Sequence, residues 1–108
     1  MRPCHASEGP GAHLEALGRS LQAMAVFVRL AHEGSFTSAA RALGISTSSV
    51  SKCVGRLEQR LGVRLVERTT RSFALTEAGK TLERHCQRIL RAVDAAESAV
   101  ASCSDRPA

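Results

Sequence analysis

The four cysteines, at positions 4, 53, 86 and 103, form no C-x-x-C pair, and none stands at zinc-finger distance from a histidine. That excludes the common zinc and dithiol motifs. Also missing are a Ser/His/Asp grouping, paired carboxylates, a glycine-rich phosphate loop and a metal-binding cluster, and a chain of 108 residues offers no large cleft. The expectation is a protein that is not an enzyme and needs no metal or cofactor. The first residues lack the apolar run of a signal peptide and carry Glu8, Pro10 and several glycines. The longest uninterrupted apolar run, which ends at Val28, is far too short to span a bilayer. These absences predict a cytoplasmic protein with reduced thiols and no membrane partner. His5 and His13, near Cys4, read as a solvated tail and not as ligands.

What is present is positive charge, unevenly spread. The chain carries a formal +5, and arginine supplies 13 of its 15 basic residues. Between Arg41 and Arg91 there are 11 basic residues against four acidic ones (Glu58, Glu67, Glu77, Glu83), a surplus of 7 that leaves the flanks at −2. A basic middle suits a polyanionic partner, and neutralising phosphates makes such binding salt-dependent. Charge alone does not separate this from a basic protein with no specific partner.

Inside that basic region lies the stretch SFTSAARALGISTSSVSKCVGRLEQRLG, residues 35–62. It reads as two short helices and a tight turn. The first is predicted over Ser38 to Leu43, opened by Thr37 and closed by Gly44; the second over Thr47 to Leu61, opened by Ser46 and closed by Gly62. In the second helix Val50, Val54, Leu57 and Leu61 recur at steps of 4, 3 and 4, which makes one apolar face. The opposite face, near its start, offers Thr47, Ser48, Ser51 and Lys52. Short hydroxyl side chains and one cation can enter a DNA major groove and reach base edges. On periodicity alone a merely solvated polar face remains open.

Around this stretch the pattern predicts four segments. Residues 1–20, with Pro3, Gly9, Pro10, Gly11 and Gly18, read as a flexible leader. A first helix is expected over Leu21 to Glu33, with Leu21, Met24, Ala25, Val28 and Ala31 as its stripe, Phe27 and Leu30 widening it, and Gly34 as its stop. His32 belongs on the surface near that helix end. Phe36 is expected to plug the core, and Ala39, Ala40 and Leu43 to let the short helix pack closely. Ser35 and Thr37 are candidate caps that can also reach phosphates. After Gly62 the pairs Val63, Leu65 and Phe73, Leu75 bracket the polar tip Glu67-Arg68-Thr69-Thr70-Arg71-Ser72, which suggests a small hairpin presenting Arg68 and Arg71. Arginines there can lie along phosphates or enter a narrow minor groove; an exposed loop that only aids solubility is the alternative.

Thr76 then caps a long helix, Glu77 to about Ala101, followed by a short tail. Leu82, Cys86, Ile89, Val93, Ala96 and Val100 are spaced 4, 3, 4, 3 and 4, a heptad seam about three repeats long. Such a helix, ~37 Å long, outruns so small a body, so a second copy is the simplest partner. Cys86 reads as a small apolar seam residue and His85 as exposed beside it.

Taken together, the segments GSFTSAARALGIS, SSVSKCVGRLEQRLGVRLVERT and LTEAG resemble the DNA-binding domain of the LysR-type transcriptional regulators, in order and spacing, from about Leu21 to about Val100. The fold this implies is mainly α: a winged helix–turn–helix, with a three-helix core and two-stranded wing over 21–76, followed by a dimerisation linker helix over 77–101. The resemblance also implies sequence-specific binding of double-stranded DNA at a dyad-related operator by a homodimer, with tetramers in a full-length protein. The family's recognition positions fall on Thr47, Ser48, Ser51 and Lys52, its phosphate contacts near Ser35 and Thr37, and its wing arginines on Arg68 and Arg71. Thr47 replaces a frequent Gln or Pro and Cys53 a frequent Gln, changes that alter base preference. Gly55 sits inside the recognition helix, where it costs about 1 kcal/mol relative to Ala. Members of the family usually continue into a periplasmic-binding-protein-like effector domain, so no inducer site is expected within these residues. Two other functions fit the same residues. One is a dimer-forming interaction module, without an effector domain, that modulates a full-length regulator. The other is a thiol switch at Cys53, which requires a lowered thiol pKa next to Lys52.

Overall fold

The computed structural model describes residues 10–67 and 73–104. Four helices follow one another: α1 (Pro10–Glu33), α2 (Phe36–Leu43), α3 (Thr47–Leu61) and α4 (Glu77–Ser104). α1 packs on α2, α3 and α4, α2 packs on α3, and α1 is the only helix that α4 meets.

The core collects Phe27, Leu30, Ala39, Ala40, Val50, Val54, Leu57, Leu65 and Val66, all buried. Phe36 closes it from the side, its ring edge-on to that of Phe73 with centroids 6.3 Å apart. The α1 stripe is rotated from the expected one. Phe27 and Leu30 are its buried centre, with Ala23 and Val26 packed beside them, whereas Leu21, Met24, Ala25 and Val28 are only half-buried. The aromatic ring and Leu30 bury more surface than the small residues at positions 25 and 31, and that decides which side turns inward.

α1 also starts earlier than expected, at Pro10, so residues 10–20 are helix and not leader. Proline suits a first helical position, which has no use for its missing N–H. Gly11 and Gly18 have open space around them and need no positive φ, so the helix carries them at about 1 kcal/mol each.

At the second junction α2 also begins two residues early. Its N-cap is Ser35, not Thr37: the Ser35 hydroxyl oxygen accepts the Ser38 N–H at 3.0 Å. Phe36 thereby enters the first turn. α3 keeps its expected limits. The Ser46 hydroxyl oxygen accepts the Ser49 N–H at 3.0 Å, and Gly62 closes the helix in the left-handed region at φ 75°. Between them lies a three-residue turn. Gly44 stands at φ 72°, and the Ile45 N–H reaches back to the Ala40 carbonyl at 3.1 Å, the six-to-one bond of a Schellman stop. Of the expected α3 face, Val50, Val54 and Leu57 are buried, but Leu61, in the last turn, is 46% exposed.

Beyond α3 the alternation does not hold. Val63 is exposed, and the consecutive Leu65 and Val66 are both buried. The Glu58 carboxylate sets this geometry. It accepts the Leu65 N–H at 2.8 Å and the Val66 N–H at 3.3 Å, which bends the chain back over the end of α3. Among the described residues no regular strand forms. A single antiparallel bridge joins Val66 to Leu75, with Glu67 N–H donating to the Ala74 carbonyl at 2.8 Å. The tip, 68–72, lies outside the described residues. The helical core is as expected; the two-stranded hairpin is represented by this one bridge. Glu58→Ala removes a charged acceptor from two N–H groups and is expected to cost about 2 kcal/mol, read as a lowered urea midpoint with an unchanged slope.

Thr76 caps α4 as expected: its hydroxyl donates to the Arg64 carbonyl at 2.6 Å and accepts the Gly79 N–H at 3.0 Å. α4 runs three residues past the expected end, to Ser104. Its seam is split. Leu82 packs against the core and Cys86 is completely buried within the single chain, whereas Ile89, Val93, Ala96 and Val100 face solvent. The first heptad therefore serves this chain's own core, because α4 leaves the body only after Cys86.

Candidate nucleic-acid interface

Helix α3 has three sides, and their residues differ in kind. One is buried against α1 and α2 through Val50, Val54 and Leu57. The second carries Thr47, Ser48, Ser51 and Lys52, all exposed. α4 packs elsewhere, on α1, so nothing helical covers that side. The turn before α3 holds the N-terminal end of the helix outward, and Ser46 ties it further: its hydroxyl donates to the Ser49 hydroxyl at 2.9 Å. Ser49 was not singled out in the sequence; its role is to brace the first turn. The third side carries Cys53, Arg56 and Arg60, which line a groove against α1.

Ser35 and Thr37 stand at the start of α2. Ser35 is half-buried by its capping bond, while Thr37 is exposed. Arg68 and Arg71 lie outside the described residues, so their placement is an expectation only. Glu58 and Gly79, which fix the base of the hairpin and the root of α4, have no signal in composition or periodicity. Gly79 is recognisable only as the end of LTEAG.

The thiols argue against a redox switch. Burial pushes the Cys53 thiol above its ordinary value, and Arg56 and Arg60 draw it only part of the way back. Burial raises Cys86 as well, and the Glu83 carboxylate adds to the rise. A raised pKa means less thiolate and slower oxidation. Among the described residues no three His, Cys, Asp or Glu side chains cluster as metal ligands, and no helix is long and apolar enough to cross a membrane.

The hydroxyl-and-lysine side is thus polar, uncovered and ordered by caps at both ends of its helix. It can donate and accept hydrogen bonds toward a flat or grooved polyanion, and it holds no group activated for covalent chemistry.

Known proteins are similar to this chain in sequence and in fold. The family model described as "Bacterial regulatory helix-turn-helix protein, lysR family" matches residues 21–80. An HTH-type transcriptional regulator of Xanthomonas campestris pv. campestris is 49% identical over 82 residues, 76% of this chain and 24% of that protein. The HTH-type transcriptional activator AaeR of Escherichia coli K12 is 48% identical over 73 residues, 68% of this chain and 24% of its own length. This chain therefore spans about a quarter of the length of these curated relatives. Among solved structures, the DNA-binding domain of BenM in complex with catB site 1 DNA superposes with a TM-score of 0.76 at 30% identity, covering 82% of this chain and 98% of that one. The corresponding CbnR domain–DNA complex gives 0.71 at 27% identity, covering 78% and 97%. With its turn, caps and core laid out as described and the matched segment covering more than half of its residues, the chain belongs to the LysR family of bacterial helix-turn-helix regulators.

Proposed function

We propose that the chain is a sequence-specific DNA-binding module of a cytoplasmic transcriptional regulator, with α3 seated in the major groove. The observation that carries this is the uncovered Thr47, Ser48, Ser51 and Lys52 side of α3, in a chain whose fold matches the DNA-bound BenM domain. Hydroxyls and one ammonium suit base edges, where each good pair contributes about 1–3 kcal/mol of discrimination. The start of α2 faces a phosphate: the Ser35 oxygen is engaged by its cap, so its hydrogen is left to donate, and Thr37 stands exposed beside it. Arg68 and Arg71, outside the described residues, are assigned by the family resemblance alone to the neighbouring backbone or minor groove. Affinity comes chiefly from phosphate neutralisation by the basic middle of the chain, and specificity from α3.

Two copies join through the exposed part of α4, Ile89, Val93, Ala96 and Val100, with Leu82 and Cys86 anchoring each helix to its own body. This pairing presents two recognition helices to a dyad-related site.

The test is a gel-shift titration on sites selected from random DNA. Ser51→Ala with Lys52→Ala is expected to weaken binding to selected DNA by roughly 10–100-fold and to scrambled DNA by much less. Equal losses on both, or none on either, would remove α3 from the groove.

A further inference from the structure

Cys53, Arg56 and Arg60 of α3, none of them among the proposed base contacts, form one wall of a groove. The groove lies between α1 and α3, with a volume of about 540 Å³. Ala23, Val26, Leu43, Ile45 and Leu57 give it an apolar floor. Arg19, Arg56 and Arg60 stand around it, and among the described residues no carboxylate lines it. Among the described residues ion pairs join Arg29 to Glu33 and Lys80 to Glu77, and neither engages these three arginines. Ile45, in the turn between α2 and α3, is 42% exposed although its backbone is fixed by the Schellman bond.

We propose that this groove docks an acidic amphipathic helix of a partner protein, its apolar side on the floor and its carboxylates on the arginines. Two features favour a helix over a small anion. The cations do not converge on one point: Arg56 and Arg60 are one turn apart on α3, ~6 Å along the axis, and Arg19 stands on the opposite wall. Carboxylates one turn apart on a second helix match that spacing, while a single carboxylate can engage only part of it. The floor, too, runs along two helices and a turn, the shape in which helices lay down apolar anchors at i, i+3, i+4 and i+7. Arg56 and Arg60 follow Lys52 at one and two turns along α3, beyond the first turn that is proposed to meet base edges. The inference does not depend on the DNA reading.

The test uses the 108-residue chain and a fluorescein-labelled helical peptide with leucines at i, i+3, i+4 and i+7 flanked by glutamates. A lysine-for-glutamate peptide of the same pattern is the control. Anisotropy is expected to show saturable binding of the glutamate peptide alone. The Arg56→Gln, Arg60→Gln double variant is expected to weaken it at least tenfold, with the same far-UV circular dichroism and the same melting temperature. The bound peptide should also slow alkylation of Cys53, which lines the groove, while leaving Cys103 on the exposed end of α4 unchanged. Equal binding of both peptides, no effect of the double variant, or an unprotected Cys53 overturns the proposal. So does full displacement of the peptide by millimolar octanoate, which would make the groove a small-anion site.

Discussion

Gly79→Ala destabilises the domain by about 3 kcal/mol, net of the helix propensity it gains. A Cβ at position 79 would strike the Leu65 carbonyl oxygen, with the Leu65 carbonyl carbon at 3.1 Å and the Leu75 Cβ at 3.3 Å. Backbone is on the receiving side, so no rotamer change relieves the clash. The carbonyl itself is engaged, since it accepts the Thr76 N–H at 3.0 Å. Relief requires α4 to lift from the chain that follows α3, which opens the core at Leu65 and Val66. The loss is read as a melting temperature lower by roughly 10–20 °C, given about 4–8 °C per kcal/mol in a domain of this size. Gly55→Ala is the matched control. Gly55 is also helical, but nothing lies within 4 Å of its added Cβ. That variant is expected to gain up to about 1 kcal/mol. The same substitution in two helices thus has opposite signs, and equal effects at both positions would refute the packing account of Gly79.

Ile89→Glu combined with Val93→Glu abolishes pairing and lowers operator affinity more than a hundredfold. Both side chains are substantially exposed in the single chain, at 37% and 39%, so charge there leaves the monomer intact. In a paired seam the two carboxylates of each helix would be desolvated beside their mates, at several kcal/mol in all. Each 1.4 kcal/mol is a factor of ten, and loss of the second reading head removes its contacts as well. Sedimentation should show monomers with unchanged circular dichroism, and the gel shift should retain only weak binding. Wild-type chain that sediments as a monomer while binding selected DNA tightly would remove α4 from the assembly. A Leu82→Glu variant behaves differently: Leu82 packs against the core, so its loss appears first as unfolding.

What the sequence made legible follows from which forces act locally. Caps and stops are decided within four residues, so Ser46, Gly44, Gly62 and Thr76 were readable, as was the exposed side of α3. The α2 cap slipped from Thr37 to Ser35 because both can cap, and the choice was made by Phe36, which needs the first turn to reach Phe73. The face of α1 is not fixed by its own sequence, because a 3.6 period tolerates a neighbouring stripe, and packing with Val50, Val54 and Leu57 selects Phe27 and Leu30. Glu58 and Gly79 were invisible because their partners, Leu65 and Val66, lie in another segment. The split of the α4 seam was invisible for the same reason: a heptad does not say which of its turns is already covered. The α1–α3 groove needs two helices and a turn side by side before its arginines form a set.

One consequence of the way α4 is anchored at its root concerns leverage. At 28 residues the rod is about 42 Å long, and its last four turns or so run free of the body. A torque applied at the far end reaches α3 through the side chains of α1, Phe27 and Leu30 foremost, and through residues 64–66, which Thr76 and Glu58 hold between the two helices. In the proposed dimer the spacing between two paired heads is governed at that anchor, and a substitution in the middle of α1 is expected to retune which operator half-site separation is accepted without altering any atom that meets the bases.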